Sequence, residues 1–186
     1  MATFVSREAY FDAGLEVLAE LGYGGLKLAQ VCGRLGVTTG SFYHYFPSWS
    51  AYTSDLVEHW QNGLTGQRVA RLRNEPDPRR RIDGVVEVGL NLPHGTEAAI
   101  RTWSSIDPRV RQAQEVVDRQ RFDVLREAAF EILGNDRGAQ VFASTAVYLL
   151  VGYEQCTLPP DPEGLEWITV QLLDALDAGR FTTVPE

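Results

Sequence analysis

Six side chains able to exchange hydrogen bonds crowd into residues 38–45: Thr38, Thr39, Ser41, Tyr43, His44 and Tyr45. Hydroxyl, phenol and imidazole groups of this size reach phosphate oxygens and base edges when a short helix enters a DNA major groove. Gly40 lies among them and removes a side chain where a backbone approaches a duplex closely. Lys27, a short way upstream, is counted with this DNA-facing set as its cation. Phe42 and Phe46 are four residues apart and turn the opposite side of the same helix inward. Tyr43 and Tyr45 have a second reading as aromatic packing, and His44 as a solvated histidine.

The elements that would position these groups are helical. Leu28, Val31, Cys32 and Leu35 form a short apolar stripe closed by Gly36, where a glycine lets the chain leave a helix through a left-handed turn. Val37 then plugs the gap between two helices, Thr38 caps the second, and Phe46-Pro47 stops it. Upstream, Tyr10, Ala13, Gly14, Val17, Leu18 and Leu21 mark one face of a helix over 7–21 that ends at Gly22. Downstream, Ser48 caps a fourth helix expected to run unbroken towards residue 73. Further helices are expected near 79–92, 96–105, 108–133, 137–156 and 162–178, separated by proline- and glycine-rich turns. No strand pattern, internal repeat or low-complexity segment competes.

Arg7, Leu21-Gly22-Tyr23, Leu35-Gly36-Val37-Thr38 and the run Gly40-Ser41-Phe42-Tyr43-His44-Tyr45-Phe46 resemble the head of TetR-family regulators over roughly residues 5–57. The resemblance implies an all-α homodimer, usually a repressor. An N-terminal three-helix helix-turn-helix DNA-binding head (1–47) joins a helical ligand-binding and dimerisation body (48–186). By matching position it makes Thr38, Thr39 and Tyr43 DNA contacts, Tyr45 a phosphate contact, and His44 a variable, sequence-reading residue. Two positions depart from the family pattern. Leu26 and Lys27 open the second helix where Thr or Ser is common, and Trp49 stands where a lysine is common.

The net charge of −8 offers no bulk attraction to a polyanion. Residues 1–60 hold three basic side chains (Arg7, Lys27, Arg34) against six acidic ones, so recognition has to rest on geometry. This acidic head keeps a rival function open: a helical small-molecule-binding or adaptor protein whose head no longer holds DNA.

In the body, Trp60, Val86, Leu90 and Trp103 are candidate ligand-lining residues, with Phe122, Leu125, Phe142 and Tyr148; plain core packing is the competing reading. Glu87, Asn91, Gln114 and Asp118 are weaker polar candidates. The apolar stretch 141–151 is expected to face the body's own core on one side and, on the other, to build a dimer interface with Leu165, Ile168, Leu172 and Leu176; simple burial within a monomeric bundle is the competing reading. Three scattered histidines and two distant cysteines, Cys32 and Cys156, make no metal-spaced set, and no phosphate loop or nucleophile elbow occurs. No enzyme activity, cofactor or metal is therefore expected. The cysteine usage, the lack of a membrane-length apolar run and the lack of a leader pattern point to the cytoplasm.

Overall fold

The computed structural model describes residues 5–185, without the side chains of Leu64 and Thr65. Residues 1–4, on which the leader expectation partly rests, lie outside the described residues. Ten α-helices and a closing 3-10 turn, with no strand, make up the described residues. The helices are α1 (Arg7–Gly25), α2 (Leu28–Leu35), α3 (Thr39–Tyr45), α4 (Trp49–Gln61), α5 (Leu64–Leu72), α6 (Pro78–Leu90), α7 (His94–Ser104), α8 (Pro108–Leu133), α9 (Asp136–Gln155) and α10 (Pro162–Asp177). None is long and apolar enough to cross a membrane.

The chain forms two compact units, Met1–Gly63 with Pro93–Glu115, and Leu64–Leu92 with Val116–Glu186. These units do not follow the expected division at residue 47. The reason is packing: α7 crosses α1, and α4 completes the aromatic core beneath α3.

In the first unit Tyr10, Phe42, Phe46 and Tyr52 are wholly buried, with ring centroids 5.0–5.7 Å apart and mostly edge-to-face. The Tyr52 hydroxyl donates to the Tyr10 carbonyl at 2.7 Å, and burial pushes the Tyr52 phenol well above its ordinary pKa. Gly14 makes this bond possible, because a Cβ there would stand 2.1 Å from the Tyr52 oxygen. Gly95 does the same for the α1–α7 crossing: its Cβ would meet the Ala19 carbonyl oxygen at 2.8 Å. Beside it, the Thr96 hydroxyl donates to the Leu15 carbonyl at 3.1 Å.

The second unit closes around Ile82, Val124, Leu125, Ala128, Phe142 and Leu176. Arg81, almost fully buried, reaches both oxygens of Glu131 at 3.0 and 3.1 Å and also donates to the Glu75 carbonyl. Such a fork uses the planar guanidinium as a two-point clamp.

One local expectation is corrected. The single helix from 48 towards 73 is two helices, α4 and α5, because Asn62-Gly63 forms a turn: Gly63 N–H bonds the Trp60 carbonyl three residues back. The first helix breaks at Gly22 as expected, where φ 65° and ψ −176° kink the chain, and one further helical turn follows to Gly25.

Candidate nucleic-acid interface and ligand cavity

Helices α2 and α3 are joined by a turn whose geometry follows from its residues. Gly36 adopts φ 66°, ψ 30°, and Val37 donates to the Cys32 carbonyl at 3.0 Å while packing on the core. Thr38 caps α3: its hydroxyl oxygen accepts from Ser41 N–H at 3.3 Å and lies 3.4 Å from the Ser41 hydroxyl. Phe42 and Phe46 anchor α3 by full burial, each removing a large aromatic ring from water. What remains outward is Thr38, Thr39, Gly40, Ser41, Tyr43 and His44, all exposed, with Tyr43 52% exposed. Tyr45 is half-buried, its ring 5.5 Å from that of Tyr10, so it belongs partly to the core. Lys27 is exposed at the start of α2 and its side chain makes no cap.

The other two cations of the head are engaged by carboxylates. Arg7 pairs with Asp55 and lies 5.5 and 5.2 Å from the Phe11 and Phe46 rings. Arg34 bonds Glu20 through both terminal nitrogens and Glu16 through one. The Arg34 guanidinium in turn holds the Glu20 carboxyl below its ordinary pKa. Trp49 is half-buried against Phe42 and Tyr52, at 5.9 and 5.0 Å between rings, and extends the core where a cation would have faced outward.

Within the second unit α5, α6, α8, α9 and α10 surround a small cavity of about 60 Å³. Its wall is almost entirely aliphatic. The expected residues Val86, Leu90 and Leu125 line it, beside residues that sequence reasoning missed, among them Val85, Leu149, Leu150, Leu172, Arg121 and Thr169.

Five expected ligand residues stand elsewhere. Trp60 and Trp103 belong to the first unit: the Trp60 indole N–H donates to buried Glu97 at 2.7 Å, and Trp103 stacks on Tyr23 at 4.8 Å. Phe142 is wholly buried, edge-on to Phe181. Phe122 packs on the core under the Arg119 guanidinium. Tyr148 is 72% exposed. Nor do Glu87, Asn91, Gln114 or Asp118 line the cavity. The missed polar residue had a signal: Arg121 stands four residues from both Val117 and Leu125, inside an apolar stripe of α8.

No group of His, Cys, Asp or Glu able to hold a metal occurs among the described residues. Residues 11–49 match the profile described as "Bacterial regulatory proteins, tetR family". The chain is similar to "HTH-type transcriptional regulator BetI" of Proteus mirabilis, 26% identical over 129 residues, covering 65% of this chain and 64% of that protein. It is 31% identical over 117 residues to "HTH-type transcriptional regulator CymR" of Pseudomonas putida, covering 60% of this chain and 58% of that one. It thus spans less than two thirds of either relative.

Among solved structures, a transcriptional regulator from Rhodococcus sp. Rha1 has the same fold, with TM-score 0.74 at 19% identity over 97% of this chain and 100% of that one. A putative regulator from Saccharomonospora viridis, solved with choline, gives 0.71 at 17% over 92% and 95%. FadR from Bacillus subtilis, solved with stearoyl-CoA, gives 0.65 at 16% over 94% and 99%. With its glycine turn and its capped and doubly anchored third helix, the head is similar over residues 11–49 to bacterial regulatory proteins of the tetR family, and the all-helical chain shares the fold of the solved regulators.

Proposed function

We propose that the protein is a ligand-responsive transcriptional regulator, acting as a repressor, that binds a palindromic operator as a cytoplasmic homodimer. The observation that carries this reading is α3. A seven-residue helix held down by Phe42 and Phe46 presents Thr39, Ser41, Tyr43 and His44 outward together, with Thr38 at its cap. Residues 1–47 are the DNA-reading part in this proposal, and residues 48–186 supply the effector cavity and the dimer contact. The relatives named as transcriptional regulators support it.

Pairing of two copies is supported by apolar side chains left in water on α9 and α10: Tyr148, Trp167, Ile168 and Val170 are 72, 64, 46 and 45% exposed. Leu165 and Leu176 of the expected interface point inward instead. Two identical faces meeting about a two-fold axis would set the symmetry of the operator. Effector control follows if a molecule in the cavity favours one spacing of the two heads, since a ligand shifts an equilibrium only by its differential affinity.

The test is selection of bound duplexes from random DNA at low salt, with light scattering on the same sample. The expected result is an inverted repeat with half-sites about 10 bp apart or a multiple of that. The expected mass is twice the monomer's 20.7 kDa. The engaged state of Arg7 and Arg34 favours one rival, a ligand-binding protein whose head has left DNA. Failure to enrich any sequence would establish that rival and end the first reading.

A further inference from the structure

Among the outward side chains of α3, namely Thr39, Ser41, Tyr43 and His44, a histidine is the type whose charge changes over the pH range that cells visit. Threonine and serine hydroxyls do not ionise there, and phenols do so only in stronger base. His44 is exposed, and its ring meets that of Tyr45 edge-on with centroids 5.3 Å apart. Among the described residues it makes no hydrogen bond and no ion pair. It therefore gains or loses a proton without disturbing the packed core.

The helices packed on α3 leave it free to do so. Arg7 of α1 is paired with Asp55 of α4, and Arg34 of α2 with Glu16 and Glu20 of α1. Tyr10, Cys32 and Tyr52 lie in the core, Tyr23 stacks on Trp103, and His59 stacks on Phe11. Glu8 and Asp12 on α1, Lys27 before α2 and Glu58 on α4 are the other charged groups of these helices, and none bonds His44.

The two protonation states make different hydrogen bonds. A neutral imidazole donates from one nitrogen and accepts at the other, whereas an imidazolium donates from both and accepts at neither. In a major groove guanine shows two acceptors, N7 and O6, while adenine shows N7 beside the N6 amino donor. Neutral imidazole suits adenine's mixed edge. The charged form suits guanine's two acceptors and is repelled by an amino group.

Resting on the reading of α3 as the helix that enters the groove, we propose that His44 makes the choice of operator depend on pH. Its protonation moves the preference at the base it faces away from adenine and towards guanine. Guanine gains as pH falls, because the proton is taken up by the form that only donates.

The experiment is selection from a random duplex library by the full chain at about pH 5.5 and about pH 8. Two duplexes that differ only as G·C or A·T, at the position where the selected sequences diverge, are then titrated at both values. Their affinity ratio cancels any effect of pH on folding or pairing, including one through His59 or His94. The ratio is expected to move towards guanine by about tenfold on acidification, within the range of one good base contact. In His44→Gln it should not move with pH, and in His44→Arg it should favour guanine at both values.

A wild-type ratio that stays fixed, or one that moves as much in His44→Gln, overturns the proposal. Selected sequences that are identical at both values overturn it too, and leave the regulator standing. No enriched sequence at either value ends the regulator reading and this proposal with it. The wild-type comparison stands whether or not a variant folds.

Discussion

Changing Gly14 to alanine and Tyr52 to phenylalanine, singly and together, tests whether the head is held by one backbone-directed hydroxyl. In Gly14→Ala the new methyl would sit 2.1 Å from the Tyr52 oxygen and 3.1 and 3.3 Å from the two Leu56 methyls. The hydroxyl must leave the Tyr10 carbonyl or α4 must retreat. Overpacking of that kind costs about 1–3 kcal/mol, and the lost hydrogen bond about 1 kcal/mol more. Alanine's better helix propensity returns about 1 kcal/mol, so the net loss expected is about 1–3 kcal/mol.

Tyr52→Phe alone removes the bond but leaves no bare carbonyl, because the Tyr10 oxygen is inside α1 and has its helical partner; about 0.5–1.5 kcal/mol is expected. In the double variant the clashing atom is gone. Alanine at 14 then meets only Leu56 and should be close to neutral, which gives a coupling energy of about 1–3 kcal/mol. Urea unfolding followed by far-UV circular dichroism measures all four corners of the cycle. Strictly additive losses would refute the contact, and with it the account of how α4 is seated on α1.

Three further outcomes are expected. Tyr43→Phe should weaken operator binding by about 0.5–1.5 kcal/mol without lowering the melting temperature, and His44→Ala should change the preferred base in a repeat of the DNA selection; unchanged binding in the first would remove Tyr43 from the interface. Since Arg7 and Arg34 are held by carboxylates, log affinity for operator should fall with log salt with a slope of about −2, near one phosphate per exposed Lys27 of a dimer, and a filter-binding slope steeper than about −5 would show cations that this account lacks. Because Arg34 depresses the Glu20 carboxyl below 4.5, its contribution to stability is present above that value and lost as pH falls through the depressed one; the difference in urea midpoint between wild type and Glu20→Gln should therefore shrink steadily as pH is lowered below 4.5, and a difference that does not change with pH would argue against the ion pair.

Helix α3 was legible because each of its boundaries is set by a residue with a strong local preference. Gly36 takes a left-handed φ, Thr38 accepts the cap bond, and Phe46 precedes a proline. Such choices are made within a few residues and need no knowledge of the rest of the chain. The break between α4 and α5 is also local, but Asn62-Gly63 is a weaker signal inside a run whose polar and apolar residues remain compatible with one helix.

The cavity was only partly legible for a different reason. Large aromatics are natural candidates for a ligand wall, yet in this chain each finds a partner first: Trp60 a buried carboxylate, Trp103 a tyrosine, Phe142 another phenylalanine. The space is left to valine and leucine on five helices, and which valines share a wall depends on how those helices pack. Arg121 was visible in the pattern of α8, but a stripe does not say whether a cavity lies in front of it.

The pairing of Arg34 with Glu16 and Glu20 separates two heritable traits. Arg34 is on α2 and its acidic partners on α1, while the groups proposed to read bases are on α3 and at its cap. A lineage that loses Glu16 or Glu20 gains positive charge in the head without altering any residue of α3. Its grip on DNA of every sequence would strengthen while its choice of sequence stayed as inherited. Substitutions at His44 or Ser41 would do the converse, moving the protein to a new operator at nearly constant overall grip. Duplicated copies of such a gene can therefore diverge in target first and in strength later, or in the other order, with no intermediate that loses both.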